Sequence, residues 1–126
     1  MNLKNYFAHH QGSGILATAD AQGHVNVAVY SRPHVLDEGT VAFIMRDRLS
    51  HHNLQSNPHA AYSFVEAGEG HQGRRIYLTR IKEETDATKI QSLRRRTRPD
   101  SKPDEAKFLV TFQVDEIRPI VGSQLD

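Results

Sequence analysis

The sequence predicts a mainly β fold: about six strands, mostly antiparallel, in a closed or partly closed barrel with two or three short helices inserted. Three observations carry this. Apolar residues alternate with polar or small ones along residues 25–31 and again along 108–115. Short Gly-, Asp- and Asn-containing turns separate the runs. Strands do not alternate regularly with helices as a βαβ repeat would require, and neither a GxGxxG nor a Walker A pattern occurs.

Taken in order, residues 3–10 suit one short helix, with Leu3, Phe7 and His10 on a shared face and Gly12 and Gly14 closing it. Residues 14–20 form a first strand, 21–24 a turn, and 25–31 a second strand with Val25, Val27 and Val29 on one face. Pro33 lies near its end, where a missing donor is tolerated at an edge or a bulge. Residues 37–40 make a tight turn into the third strand, Val41 to Met45, so the first three strands are expected to form a meander. The unbroken apolar run of that third strand suits burial on both faces.

A short helix follows, stopped by Asn57-Pro58, and then a fourth strand ending at Val65. Residues 66–75 are a Gly-rich loop, 75–82 a fifth strand, and 84–97 a helix capped by Thr85 or Asp86 with Ile90 and Leu93 as its apolar stripe. Residues 98–105 read as a linker and 106–122 as the last strand.

A chain of 126 residues is expected to be a single domain, residues 1–126, with a modest core that gains from dimerisation. A net charge of +1 argues against a general nucleic-acid or membrane-surface role, which needs a strong basic excess. The absence of cysteine excludes disulfides, thiolate metal sites and thiol catalysis. The first residues lack a signal-peptide core, and no window has the ~20 apolar residues of a membrane helix, so the expected location is cytoplasmic.

The chemically informative stretch is residues 40–65. Arg46 and Arg48 flank Asp47 directly after the third strand, and Ser50 suits a helix N-cap. Leu49 and Leu54 then have the spacing of a hydrophobic staple. A helix starting at Ser50 turns the free N–H groups of His51, His52 and Asn53 toward the arginines. Amide donors, a helix dipole and two guanidinium groups together define an anion site, for which phosphate is the natural occupant.

Other clusters are less telling. His9-His10 and His51-His52 are neighbours in sequence, and adjacent helical residues point about 100° apart, a poor chelate for one metal. Both pairs read as solvated or capping histidines, with His51 or His52 also within reach of the phosphate as a secondary donor. The basic run 94–98 lies beside Asp100, Asp104 and Glu105 and reads as a solvated helix end. Glu83, Glu84 and Asp86 read as capping charges. The order of residues offers no Ser-His-Asp set, no metal-ligand cluster and no nameable catalytic residue.

The first hairpin, LATADAQGHVNVAV, and the stretch VAFIMRDRLSHHNLQSNPHAAYSF resemble the FMN-binding split barrels related to pyridoxamine 5'-phosphate oxidase. The resemblance covers nearly the whole chain. It implies an antiparallel six-stranded split barrel and a homodimer with FMN at the subunit interface. It implies backbone contacts to the flavin ring from Phe43 and Ile44, and a phosphate turn at Arg48, Leu49 and Ser50 with Arg46 just before. It further implies that Val27, Ala28 and Val29 face the flavin, with Arg32 at the far end, and that Arg74 or Arg75 reaches the flavin of the other subunit. The chain departs from the family at two places. Leu49-Ser50 stands where many members carry a lysine or an Arg-Lys pair, and the C-terminal segment of the true pyridoxamine phosphate oxidases has no counterpart here.

The expected function is therefore FMN binding, with flavin-dependent oxidoreductase activity on a small substrate. In such an enzyme the cofactor carries the chemistry and the protein supplies binding and orientation. The alternatives are a non-catalytic flavin carrier, a haem carrier using His34 or His71, a deazaflavin in place of FMN, and a dimeric scaffold without cofactor.

Overall fold

A computed structural model describes residues 1–94 and 106–122 of the chain. The elements run α1 (Leu3–His9), β1 (Gly12–Ala19), β2 (Val25–Val29), β3 (His34–Asp37), β4 (Thr40–Arg46), α2 (Leu49–Ser56), β5 (His59–Glu66), β6 (Gly73–Glu84), α3 (Ala87–Leu93) and β7 (Lys107–Pro119). The strands make one sheet in the order β2-β1-β5-β6-β7-β4-β3, antiparallel throughout.

The sheet has seven strands among the described residues, not the expected six. The additional strand is β3, whose four residues are too few to show a period in sequence. The expected meander is also corrected. β2 pairs only with β1 and β3 only with β4, so the second expected strand forms one edge of the sheet and the third, β4, lies one strand in from the other. Yet only residues 30–33 separate β2 from β3. Five Cα steps span at most about 18 Å, so the two edges must lie close, and the sheet curls into a barrel that never closes.

That four-residue strap is fastened along its length. The Tyr30 amide donates to the Gly14 carbonyl at 3.0 Å, and the Tyr62 hydroxyl donates to the Tyr30 carbonyl at 3.0 Å. The Tyr30 ring meets Phe43 edge-on, with centroids 5.6 Å apart. Pro33 is fully buried. Gly14 is required by this geometry, since a Cβ there would lie 1.8 Å from the Tyr62 hydroxyl and 2.5 Å from the Tyr30 carbonyl. Gly12 and Gly14 belong to β1 and do not close α1, which ends at an extended His10.

Alternation places Leu16, Phe64, Ile76, Leu78 and Phe112 inside the barrel, each buried. Complete burial of such a side chain contributes about 1.5–3 kcal/mol. α1 covers one end with Leu3, Tyr6 and Phe7, and the Phe7 ring meets Phe64 edge-on at 5.2 Å. The apolar run of β4 is covered on both faces, as its composition requires. Val41, Phe43 and Met45 enter the main core, while Ala42 and Ile44 pack with Ile90, Leu93 and Leu109 in a second cluster under α3. α3 is capped by Asp86, whose carboxylate accepts from the Thr88 and Lys89 amides. The expected helix over 84–97 is shorter than its sequence suggests, since Glu84 ends β6 and Arg94 is already extended after Leu93; most of the basic run and the linker 98–105 lie outside the described residues.

Candidate functional site

An open groove of about 800 Å³ lies where the sheet fails to close. Its walls come from β2 (Asn26 to Val29), the strap with Arg32 and the adjoining His34, Phe43, Ile44 and Arg46 at the β4 end, and the start of α2. Gln11 and Gly12 contribute from the start of β1, and Arg94 and Lys107 from the α3 and β7 ends. Arginine or lysine stands at Arg32, Arg46, Arg48, Arg94 and Lys107, while no Asp or Glu lines the groove among the described residues. In a chain with nearly equal numbers of acidic and basic residues, that segregation marks a site for an anion.

The anion end is the turn from β4 into α2. The Arg48 amide donates to the Arg46 carbonyl at 2.8 Å, and the first helical bond runs from the His52 amide to the Arg48 carbonyl at 2.9 Å. Arg48 is therefore the N-cap, in extended conformation and without a side-chain cap bond. The expectation of Ser50 as N-cap is corrected by two positions, and the donors without an intrahelical partner are the amides of Leu49, Ser50 and His51. The staple is corrected too: Leu49 is 54% exposed and lines the groove, while Leu54 is fully buried. Ser50 is buried instead, bonded through its hydroxyl to Tyr30. Burial holds the Tyr30 phenol above its ordinary range, and the Ser50 bond pulls it the other way.

The structure brings ten of the residues singled out in sequence to this groove: Val27, Ala28, Val29, Arg32, Phe43, Ile44, Arg46, Arg48, Leu49 and Ser50. It places three elsewhere. The Asn53 side chain is buried and donates to the Thr18 hydroxyl at 3.1 Å, tying α2 to β1. The His51 ring turns away from the groove, between Asp47 and Glu83. Arg75 on β6 donates through Nε to the Pro119 carbonyl at 2.8 Å and does not line the groove of its own chain. Arg32 lines the groove and is also structural, because its Nη1 donates to the Phe7 and His10 carbonyls at 2.6 and 3.1 Å. There its charge meets the negative end of the α1 dipole.

The lining residues that sequence reasoning did not reach include Tyr30, Lys107 and Arg94. Lys107 is the direct partner of Arg46 in the β4–β7 ladder, a pairing across some sixty residues that no local signal announces. The histidine pair His9-His10 is accounted for locally, each ring nitrogen bonding the carbonyl four residues back at 2.8 Å.

No protein-family model and no curated protein matches the sequence. Solved structures do match. An FMN-binding protein from Syntrophomonas wolfei subsp. wolfei superposes with a TM-score of 0.79 at 17% identity, covering 98% of this chain and 86% of the other. An F420 reductase gives a TM-score of 0.71 at 15% identity, covering 90% and 94%. A protein assigned as a pyridoxamine 5'-phosphate oxidase, from Lactobacillus delbrueckii subsp., gives 0.63 at 21% identity, covering 90% and 88%. The chain thus has the split-barrel fold of the pyridoxamine 5'-phosphate oxidase-like flavin proteins. No helix among the described residues is long and apolar enough to cross a membrane.

Proposed function

We propose that the chain binds FMN in this groove and acts as a flavin-dependent oxidoreductase on a small substrate. The observation that carries the reading is the segregation of charge within one groove. Arg46, Arg48 and the amide end of α2 gather at one end, and apolar Val27 and Val29 line a wall. A flavin mononucleotide has that polarity, a phosphate joined to a flat, largely apolar ring. The volume lies within the usual range for small-molecule sites, about 300–1,000 Å³.

The residues present fit the group. Arg48 and Arg46 hold the phosphate by charge, and the Leu49 and Ser50 amides supply donors that no lysine at those positions is needed to replace. Phe43 and Ile44 offer β4 backbone groups to the ring edge, and Val27 and Val29 pack on its surface. A bound flavin supplies two-electron transfer between donor and acceptor. The strap and the Arg32 tie keep the cradle in place before any ligand arrives, which lowers the ordering cost of binding.

The proposed assembly is a homodimer. Val25, Val27 and Val29 are 83%, 66% and 78% exposed on an edge strand, and a second copy laid against β2 covers an apolar face that water otherwise meets. The solved structures of an FMN-binding protein and an F420 reductase with this fold support a flavin or deazaflavin in the groove. The test is the absorption spectrum of the purified protein, followed by titration with FMN and with riboflavin. Shifted flavin bands at one FMN per chain, with riboflavin much weaker, are the expected result. No binding at micromolar FMN overturns the proposal.

A further inference from the structure

His51 is 7% exposed and is held on four sides. Its Nε2 lies 2.8 Å from Glu83 Oε1 on β6, and its Nδ1 lies 3.3 Å from Asp47 Oδ1 in the turn. The Phe108 ring of β7 stacks on it at 3.9 Å with planes 14° apart. Gln55, one helical turn on, donates to Glu83 Oε1 at 3.1 Å and lies 3.2 Å from Nε2. Among the described residues, the charged groups facing the ring are thus Asp47 from the turn and Glu83 from β6. Asp47 sits between Arg46 and Arg48, so one residue of the anion turn is fastened backward while its neighbours line the groove forward.

The two contacts make different demands. A cationic imidazole has a proton on each nitrogen and donates to both carboxylates; a neutral one donates to a single partner. The Glu83 contact is the shorter, and its carboxylate is the more enclosed, 24% exposed against 71% for Asp47. A bare Nε2 lone pair set 2.8 Å from the more enclosed carboxylate costs more, even with Gln55 still donating to that carboxylate. A neutral ring therefore keeps its proton on Nε2 and turns a bare lone pair toward Asp47.

We infer that His51 is a positioning residue for the anion turn: its cationic ring holds Asp47, and with it Arg46 and Arg48, against β6 and β7, and its neutral ring releases Asp47. The consequence for ligand binding rests on the FMN reading given above; the coupling of ring to turn does not.

The first test is nuclear magnetic resonance of the ligand-free protein across about pH 5 to 8, the range in which imidazoles change charge. In the native sequence, the backbone amides of Asp47 and Arg48 are expected to titrate with the midpoint of the His51 ring. In Asp47→Asn, whose side chain is exposed, the Arg48 amide no longer follows the ring. In Glu83→Gln, a neutral ring can accept at Nε2 and donate Nδ1–H to Asp47. The turn amides then hold their low-pH shifts to higher pH. Turn amides that ignore the ring in the native sequence, or that follow it unchanged in both variants, overturn the inference.

The second test compares FMN and riboflavin affinities of the native and Asp47→Asn proteins at each pH. The ratio of the two proteins cancels the titration of the ligand's own phosphate. For FMN the native-to-variant affinity ratio is expected to be about two- to fivefold higher when the ring is charged than when it is neutral, on top of a pH-independent offset from removing the Asp47 charge between Arg46 and Arg48. For riboflavin the ratio stays flat. Absence of any flavin binding defeats the cofactor reading and leaves the resonance test to decide. Intact FMN binding with a flat ratio defeats the positioning role alone.

Discussion

Arg46 and Lys107 stand directly opposite one another on β4 and β7, and both line the groove. Like charges facing across a ladder oppose pairing by roughly 0.2–1 kcal/mol. An anion placed between them removes that opposition. Lys107→Ala is therefore expected to raise the melting temperature of the ligand-free protein slightly at low ionic strength and to shrink the further rise produced by inorganic phosphate. Calorimetry with and without phosphate checks both halves. A variant less stable than the parent at every salt concentration argues that the lysine is held by other contacts.

Arg48 makes the sharpest claim on the ligand. If it pairs with the flavin phosphate, Arg48→Ala weakens FMN by about 1.5–3 kcal/mol, the range of a hydrogen bond to a charged group. Riboflavin affinity should stay within experimental error of the parent. Fluorescence titration with the two flavins measures this, and equal losses for both point to a disturbed groove and not to a lost phosphate contact.

Gly14 carries the close approach of β1 to Tyr62 and the strap. Gly14→Ala puts a methyl group into the space of a hydroxyl and a carbonyl, so it is expected to destabilise the protein by about 1–3 kcal/mol, the usual range for overpacking. Urea unfolding gives the value directly. The double variant Gly14→Ala, Tyr62→Phe should recover part of the loss by removing the nearer atom.

The valine face of β2 predicts a self-association that one charge abolishes. The native protein is expected to sediment as a dimer and Val27→Glu as a monomer, with FMN binding weakened in parallel because Val27 also lines the groove. Sedimentation velocity separates the two. A native protein that is monomeric throughout a micromolar range removes the dimer.

Tyr6 predicts the alkaline limit of stability. Its hydroxyl donates to Glu66 at 2.6 Å. Burial first, then the Glu66 bond and charge, hold its pKa well above the ordinary value, with Arg74 pulling weakly downward. The folded chain thus keeps this proton more tightly than the unfolded one. Stability is whole below the unfolded value, near pH 10, and is lost as the pH rises from there toward the higher native value. Tyr6→Phe should flatten that fall in urea unfolding between about pH 9 and 11.

The strands were legible where neighbours in sequence determine them. The alternation of β7 and the double-sided apolar run of β4 are local patterns with one stable solution. β3 was not legible, because four residues give no period, and the pairing of β4 with β7 depends on the whole sheet. At the site, Arg46, Arg48 and Ser50 announced an anion turn through composition. The placement of the cap did not follow, because Ser50 is buried against the half-buried Tyr30, a tertiary contact that outweighs the local preference for serine at a helix start. For the same reason His51 looked like a surface donor. Its burial comes from Phe108 and Glu83, both far away in the chain.

The strap at residues 30–33 joins the two free edges of the sheet while taking no place in any strand ladder. The barrel is accordingly a cut hoop with a stay drawn across the gap. Severing the chain there breaks no inter-strand register, yet it leaves the two lips of the groove joined across the gap only by α2, which follows β4 and is tied to β1 through Asn53 and Thr18, and otherwise the long way round through the other strands. The width of the opening, and hence the girth of whatever molecule it admits, is governed by four residues whose fastenings lie on α1, β1, β4 and β5.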